Sequence, residues 1–153
     1  MSAPRTRRQV RDLASDAIRQ CDLTELADRT AGSLSTGQRR LVELARCLAG
    51  PFRILLLDEP SSGLDRAETA RFGEILQRAA AERGIGILLV EHDMALVTAI
   101  CNYVYVLDFG KPIFEGVPAD VMSSPVVKAA YLGDDEAEHS AVGTTGPNQE
   151  VGS

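Results

Sequence analysis

Asp58 and Glu59 follow directly on the apolar run Ile54–Leu57, so two adjacent carboxylates stand where a short strand ends. An uninterrupted apolar run of this length reads as a parallel strand covered on both faces. Ligands of open α/β sheets bind beyond the carboxyl ends of such strands. At that edge Asp58 suits a hard cation such as Mg²⁺, held directly or through its water. Glu59 is then placed to orient or deprotonate a water attacking a phosphoryl group, and general-base help of this kind is worth roughly 10²- to 10⁴-fold in rate. Taken alone, RILLLDEP (residues 53–60) fits equally a strand that ends in a solvated acidic turn.

Three further motifs carry polar groups at meaningful spacing. In LSTGQ, residues 34–38, Ser35 and Gln38 have the separation of a capping box at a helix start. The same hydroxyl, Gly37 and free backbone N–H groups would also make an anion site suited to a phosphate. In SSGLD, residues 61–65, Asp65 stands three residues before Glu68 and again fits a helix cap. Glu91–His92 ends a second apolar run, Ile85–Val90, so His92 leaves the same sheet edge as Asp58. An imidazole there could contact a γ-phosphate, although a single histidine at a strand end more often has a structural role.

The elements that must position these groups follow from periodicity. Val10, Leu13, Ala14, Ala17, Ile18 and Cys21 recur at helical spacing over residues 5–21, and a short helix is expected around Leu23–Ala27. Leu41, Leu44, Ala45 and Leu48 form one stripe over 39–49. Phe72, Ile75, Leu76 and Ala79 do so over 66–83, with Gly84 as the stop. Helical character returns from Asp93 to Cys101. Tyr103–Leu107 and Pro112–Glu115 read as two strands joined at Phe109–Gly110–Lys111, and short helical pieces follow Pro118 and Pro125. Strand–helix–strand alternation over 53–101 indicates an α/β fold with a parallel sheet.

Composition narrows the function classes. The chain has 153 residues, 44% of them hydrophobic, which suits one domain with one core. No apolar stretch approaches the length of a bilayer span, so membrane association is expected to go through a partner. The basic first residues lack an apolar signal core, and secretion is not indicated. The three cysteines, Cys21, Cys47 and Cys101, are widely spaced and read as small buried hydrophobes in a reducing compartment. The net charge is −6, and residues 133–153 hold Asp134, Asp135, Glu136, Glu138 and Glu150 with no Lys or Arg. The remaining body is therefore close to neutral and offers no broad basic field, which argues against nucleic-acid binding. From 134 to 153 the composition is that of an acidic disordered tail.

The order and spacing of the motifs together resemble one family, the ABC ATPases. LSTGQ is similar to the family's signature motif, with Thr36 where the commonest form has Gly; RILLLDEP resembles its Walker B strand with the catalytic glutamate, SSGLD its D-loop, and His92 its switch histidine. The resemblance runs from about residue 6 to 133 and implies a C-terminal part of a P-loop NTPase domain with a helical subdomain segment. It further implies ATP and Mg²⁺ as cofactors, with Asp58 at the metal and Glu59 and His92 catalytic. Ser35, Gly37, Gln38 and Asp65 would then meet the nucleotide. The implied partners are a second ABC ATPase subunit in a head-to-tail dimer and an integral-membrane permease, with the chain cytoplasmic and peripheral on the inner face of the membrane. EHDMALV, VLDFGKPIFEGVPADV and SSPVVKAAYLG are similar to the ATP-binding subunits of branched-chain amino-acid importers.

One part of the family pattern has no counterpart in these residues. The Gly-rich loop that ends in Lys-Ser/Thr wraps phosphates with its backbone N–H groups. The candidate Gly32–Gly37 is followed by Gln38 and Arg39 and is preceded by no strand. The expectation is therefore a truncated importer ATPase subunit without its Walker A loop, whose sheet exposes unpaired edges. Two alternatives are a catalytically incompetent docking module for a full ATPase or permease, acting through residues 6–49, and an ABC protein of DNA repair or translation.

Overall fold

Three helices of the first compact unit close on one another through their carboxyl ends. In the computed structural model, which describes residues 6–131, α1 (Arg7–Gln20), α2 (Thr36–Leu48) and α3 (Arg66–Arg83) meet this way. The last carbonyls of a helix have no partner within it, and here arginines from α3 supply one. Arg78 donates to the Gln20 carbonyl at 3.0 Å and to Asp22 Oδ1 at 3.1 Å. Arg83 donates to Gln20 Oε1 at 2.8 Å and to the Leu48 carbonyl. Beneath these bonds Ala17, Cys21, Leu44, Leu48, Phe72, Ile75 and Leu76 form a continuous core. The stripes on α2 and α3 are thus faces that pack; on α1 the stripe packs from Ala17 to Cys21, while Val10 at its start is exposed.

Each of these helices starts with a reciprocal cap: Thr6 with Gln9, Ser35 with Gln38, and Asp65 with Glu68. The second helix begins at Thr36, three residues earlier than the apolar stripe alone suggests, because the capping box itself sets the start. The short helix expected at Leu23–Ala27 is a single 3₁₀ turn, Thr24–Leu26. Gly84 ends α3 in the left-handed conformation at φ 60°.

Strands β1 (Ile54–Asp58) and β2 (Gly86–Val90) pair in parallel, joined by α3, with Leu55 opposite Ile87 and Asp58 opposite Val90. The parallel α/β reading is borne out, whereas the reading of both runs as strands buried on both faces is not. Leu55 is buried and Leu57 and Ile87 pack on the helical core. On the other face Ile54, Leu56, Leu88 and Val90 are all more than half exposed. Nothing among the described residues covers that face, and the pair has two strands only. Helix α4 (Met94–Ile100) then packs on α3, where Leu96 Cδ1 lies 3.0 Å from the position a Cβ on Gly73 would take.

The second compact unit begins at Asn102. Its strands β3 (Val104–Asp108) and β4 (Lys111–Gly116) form an antiparallel hairpin, followed by α5 (Pro118–Ser123) and α6 (Pro125–Tyr131). The turn residues Phe109 and Gly110 both have positive φ, 45° and 76°, as a two-residue hairpin turn of matching twist requires. Register shifts by one residue after Val106, leaving Ile113 as a bulge beside Pro112, which has no N–H to give to the ladder. Val106, Val121 and Val127 are buried, and the Tyr131 hydroxyl donates to the Leu107 carbonyl.

The cysteine reading holds for one residue of three. Cys21 is fully buried, which pushes its thiol up to about 11, with the Asp22 carboxylate adding to the effect. Cys47 is exposed, off the packed stripe of α2, and Cys101 is half-buried, in extended backbone just past the end of α4. The expected acidic tail, 134–153, lies outside the described residues.

The one-sided sheet makes two adjacent leucines unequal. Leu55→Ala is expected to cost about 2–5 kcal/mol, and Leu56→Ala under about 1 kcal/mol, because only the first leaves a cavity. Urea unfolding of the two variants checks this; equal losses would show that both faces are covered.

Candidate functional site

The parallel register delivers Asp58 and Val90 to the same level, and the next residues diverge from there. Glu59 still donates its N–H to the Val90 carbonyl at 2.8 Å, but its φ is 42°, a left-handed value rare for a residue with a side chain. That turn takes Glu59 out of the alternation of the strand. Its carboxylate Oε1 lies 3.7 Å from His92 Nδ1, with both side chains more than half exposed. Glu59 and His92, 33 positions apart in sequence, therefore face each other in water-accessible space at one strand edge. Strain in the backbone of a residue like this is kept only where surrounding contacts impose it.

Asp58 is exposed and stands alone as a cation ligand. Among the described residues no three His, Cys, Asp or Glu side chains converge as a metal site. The residues present could give a hard cation one carboxylate, with water and phosphate oxygens completing its shell, which is the usual arrangement for Mg²⁺ with a nucleotide.

The signature-like segment lies against the D-loop-like segment within the same unit. Ser35 Oγ accepts from the Gln38 N–H at 3.2 Å, and Gln38 Oε1 accepts from the Ser35 N–H at 3.0 Å. Gln38 is thus occupied by the cap, while Ser35 retains its hydroxyl proton for an outside acceptor. Gly37 is buried, and a Cβ placed on it would lie 2.5 Å from Glu68 Oε1. Glu68 itself accepts from the Asp65 N–H at 3.2 Å, and Asp65 Oδ1 accepts from the Glu68 N–H at 2.8 Å. A Cβ on Gly63 would touch Thr36 at 3.6 Å. Asp65, expected to meet nucleotide, is engaged in holding the start of α3.

Glu91 carries a role that the motif pattern leaves unassigned. Its side chain is fully buried. Oε1 accepts from the Ser61 N–H at 2.8 Å, and Oε2 accepts from the N–H groups of His92 and Asp93 at 3.1 and 3.3 Å. Burial pushes the Glu91 carboxyl up, but hydrogen bonds from the Ser61 hydroxyl and amide and from the Asp93 and His92 amides outweigh it. They hold the group below its ordinary value of 4.5. In the sequence the only signal is a carboxylate directly after an apolar run, Ile85–Val90.

Comparison with known proteins follows the same outline. Residues 3–62 match the ABC transporter family, and residues 111–137 match the branched-chain amino acid ATP-binding cassette transporter family. The chain is 38% identical over 130 residues to the high-affinity branched-chain amino acid transport ATP-binding protein BraF of Pseudomonas aeruginosa. The match covers 85% of this chain and 51% of that one. Its identity to LivG of Escherichia coli, of the same description, is 37% over 130 residues with equal coverage. Among solved structures it is similar to MJ1267, an ATP-binding cassette of an ABC transporter, with a TM-score of 0.74 and 30% identity over 86% of this chain and 53% of that one. The chain spans about half the length of the relatives it matches.

The contact between the two segments predicts a coupled pair of substitutions. Gly37→Ala should displace the Glu68 carboxylate from its cap and cost about 1 kcal/mol. In a Glu68→Ala background that cost should vanish, as for residues in direct contact. Additive losses in thermal unfolding would contradict the contact.

Proposed function

Because the chain belongs to the ABC transporter family, as part of its ATP-binding domain, we propose that it supplies the hydrolytic edge of an ATPase that drives import of branched-chain amino acids. The observation that carries this reading is the Glu59–His92 pair, 3.7 Å apart beyond the end of β1. Glu59 takes the proton of the attacking water, and its left-handed backbone aims the carboxylate away from the sheet face. His92 steadies that carboxylate from the far side and gives a ring N–H for phosphate oxygen. Asp58 offers the carboxylate oxygen for Mg²⁺, which when bound offsets the negative charge of the nucleotide's phosphates. Ser35, at the start of α2, presents its hydroxyl and the helix's free N–H groups to a phosphate brought by a second ATPase subunit.

The 153 residues contain no Gly-rich loop with Lys-Ser/Thr. The phosphate cradle is then supplied by polypeptide outside this sequence, and a permease couples hydrolysis to movement of the solute. Among the described residues no helix is long and apolar enough to cross a membrane, so the seat at the membrane is through that permease. The importer reading rests on the 111–137 match and on BraF and LivG. A second reading, a docking module without turnover, is favoured by the lack of that loop in the sequence.

Combined with polypeptide bearing the phosphate loop, the chain should hydrolyse Mg-ATP. Glu59→Gln should lower kcat about 10²- to 10⁴-fold while nucleotide binding persists. Phosphate release and equilibrium binding measure the two; a Glu59→Gln assembly as fast as wild type would refute the assignment.

A further inference from the structure

The carboxylate of Glu91 joins two segments that the sequence keeps 30 residues apart, the turn after Glu59 and the turn that carries His92. It lies between them with no exposure to water and with both oxygens engaged. Ser61, on one side, is itself buried, and its peptide is two residues beyond Glu59. His92 and Asp93, on the other side, turn their N–H groups onto the same carboxylate. From this arrangement we infer that Glu91 is a positioning residue. It fixes the backbone of both turns and so sets the separation between Glu59 and His92.

The physical case rests on what each contact restrains. The Ser61 N–H bond prevents the chain after Glu59 from swinging away from β2, which would relax the left-handed turn at Glu59. The paired bonds to His92 and Asp93 hold the chain as it leaves β2, and Asp93 then caps α4 through the Ala95 and Leu96 N–H groups at 2.9 and 3.1 Å. Hydrogen bonds to a charged group in a water-excluded place are stronger than neutral ones. With Glu91 removed, three N–H groups, two of them half-buried, lose their acceptor at once. Glu59 then keeps its strand bond to Val90, the Ser62 N–H bond to its carbonyl and its contact with His92, and none of these ties the chain beyond it to the turn that carries His92.

The inference rests on the proposed ATPase reading for its consequence in turnover, and on geometry for the positioning itself. Two measurements separate these. Amide hydrogen exchange in the 153-residue chain is the first. Glu91→Ala should speed exchange at Ser61, His92 and Asp93 by about tenfold or more, with amides of α2 and α3 unchanged as the control for folding. Glu91→Gln keeps the shape and one acceptor oxygen and should fall between alanine and wild type. The second measurement is turnover of the assembled ATPase, where Glu91→Gln should lower kcat about tenfold and leave the KM for ATP within about twofold. Unchanged exchange at the three amides in Glu91→Ala would overturn the inference. So would a Glu91→Gln protein equal to wild type in both readouts, or an active assembly whose kcat ignores the substitution. If the wild-type assembly hydrolyses no ATP, the ATPase reading falls, and amide exchange alone decides whether Glu91 holds the two turns.

Discussion

Parallel pairing of two five-residue strands is the constraint on which the candidate site depends. Because Asp58 is level with Val90, the residues that follow each strand leave the sheet at one edge, and the Glu59 carboxylate and His92 imidazole meet there without any long-range search by loops. The final ladder bond, from the Glu59 N–H to the Val90 carbonyl, extends the pairing one residue past the strand. Had one strand slipped by one residue, its inward residue, Leu55 or Ile87, would face outward and the core above would lose part of its floor. Burial of Leu55 in the helical core therefore fixes the place of Glu59 as firmly as any contact within the candidate site.

The same economy appears at the helix starts. Ser35 and Asp65 each satisfy N–H groups that their helices cannot satisfy alone, and those caps also hold the signature-like and D-loop-like segments side by side. Gly37 fits under Glu68 only because it has no side chain. Ser35 caps its helix by accepting from Gln38 and still keeps its hydroxyl proton. The cap holds it in the orientation that leaves its proton, or the neighbouring N–H groups, free to point outward.

How much of this was legible in the sequence depends on the reach of the interaction. Capping boxes are local, so Ser35–Gln38 and Asp65–Glu68 could be read directly, and the helical stripes gave the packed faces of α2, α3 and the second half of α1. The strands were misread because apolar residues at Ile54, Leu56, Leu88 and Val90 signal a covering layer, and that layer is not among the described residues. Composition records what a face requires and not what is present to meet it. Cys47 was misplaced for the opposite reason: its residue type favours burial while its position on α2 turns it outward. Glu91 went unassigned because its main partner, the Ser61 N–H, is 30 residues away, and a buried carboxylate shows no periodicity. The φ of Glu59 was likewise invisible, since it depends on contacts with residues some 30 positions away and not on the residue's own preference.

The central claim is that this chain holds the hydrolytic edge of an ABC ATPase and leaves the phosphate cradle to other polypeptide. Calorimetric titration of Mg-ATP into the 153-residue chain, alone and then mixed with polypeptide that bears the Gly-rich loop, tests that division most directly. The account predicts no binding in the micromolar range by the chain alone and restored binding in the mixture. Micromolar binding by the chain alone, or none in the mixture, would contradict it.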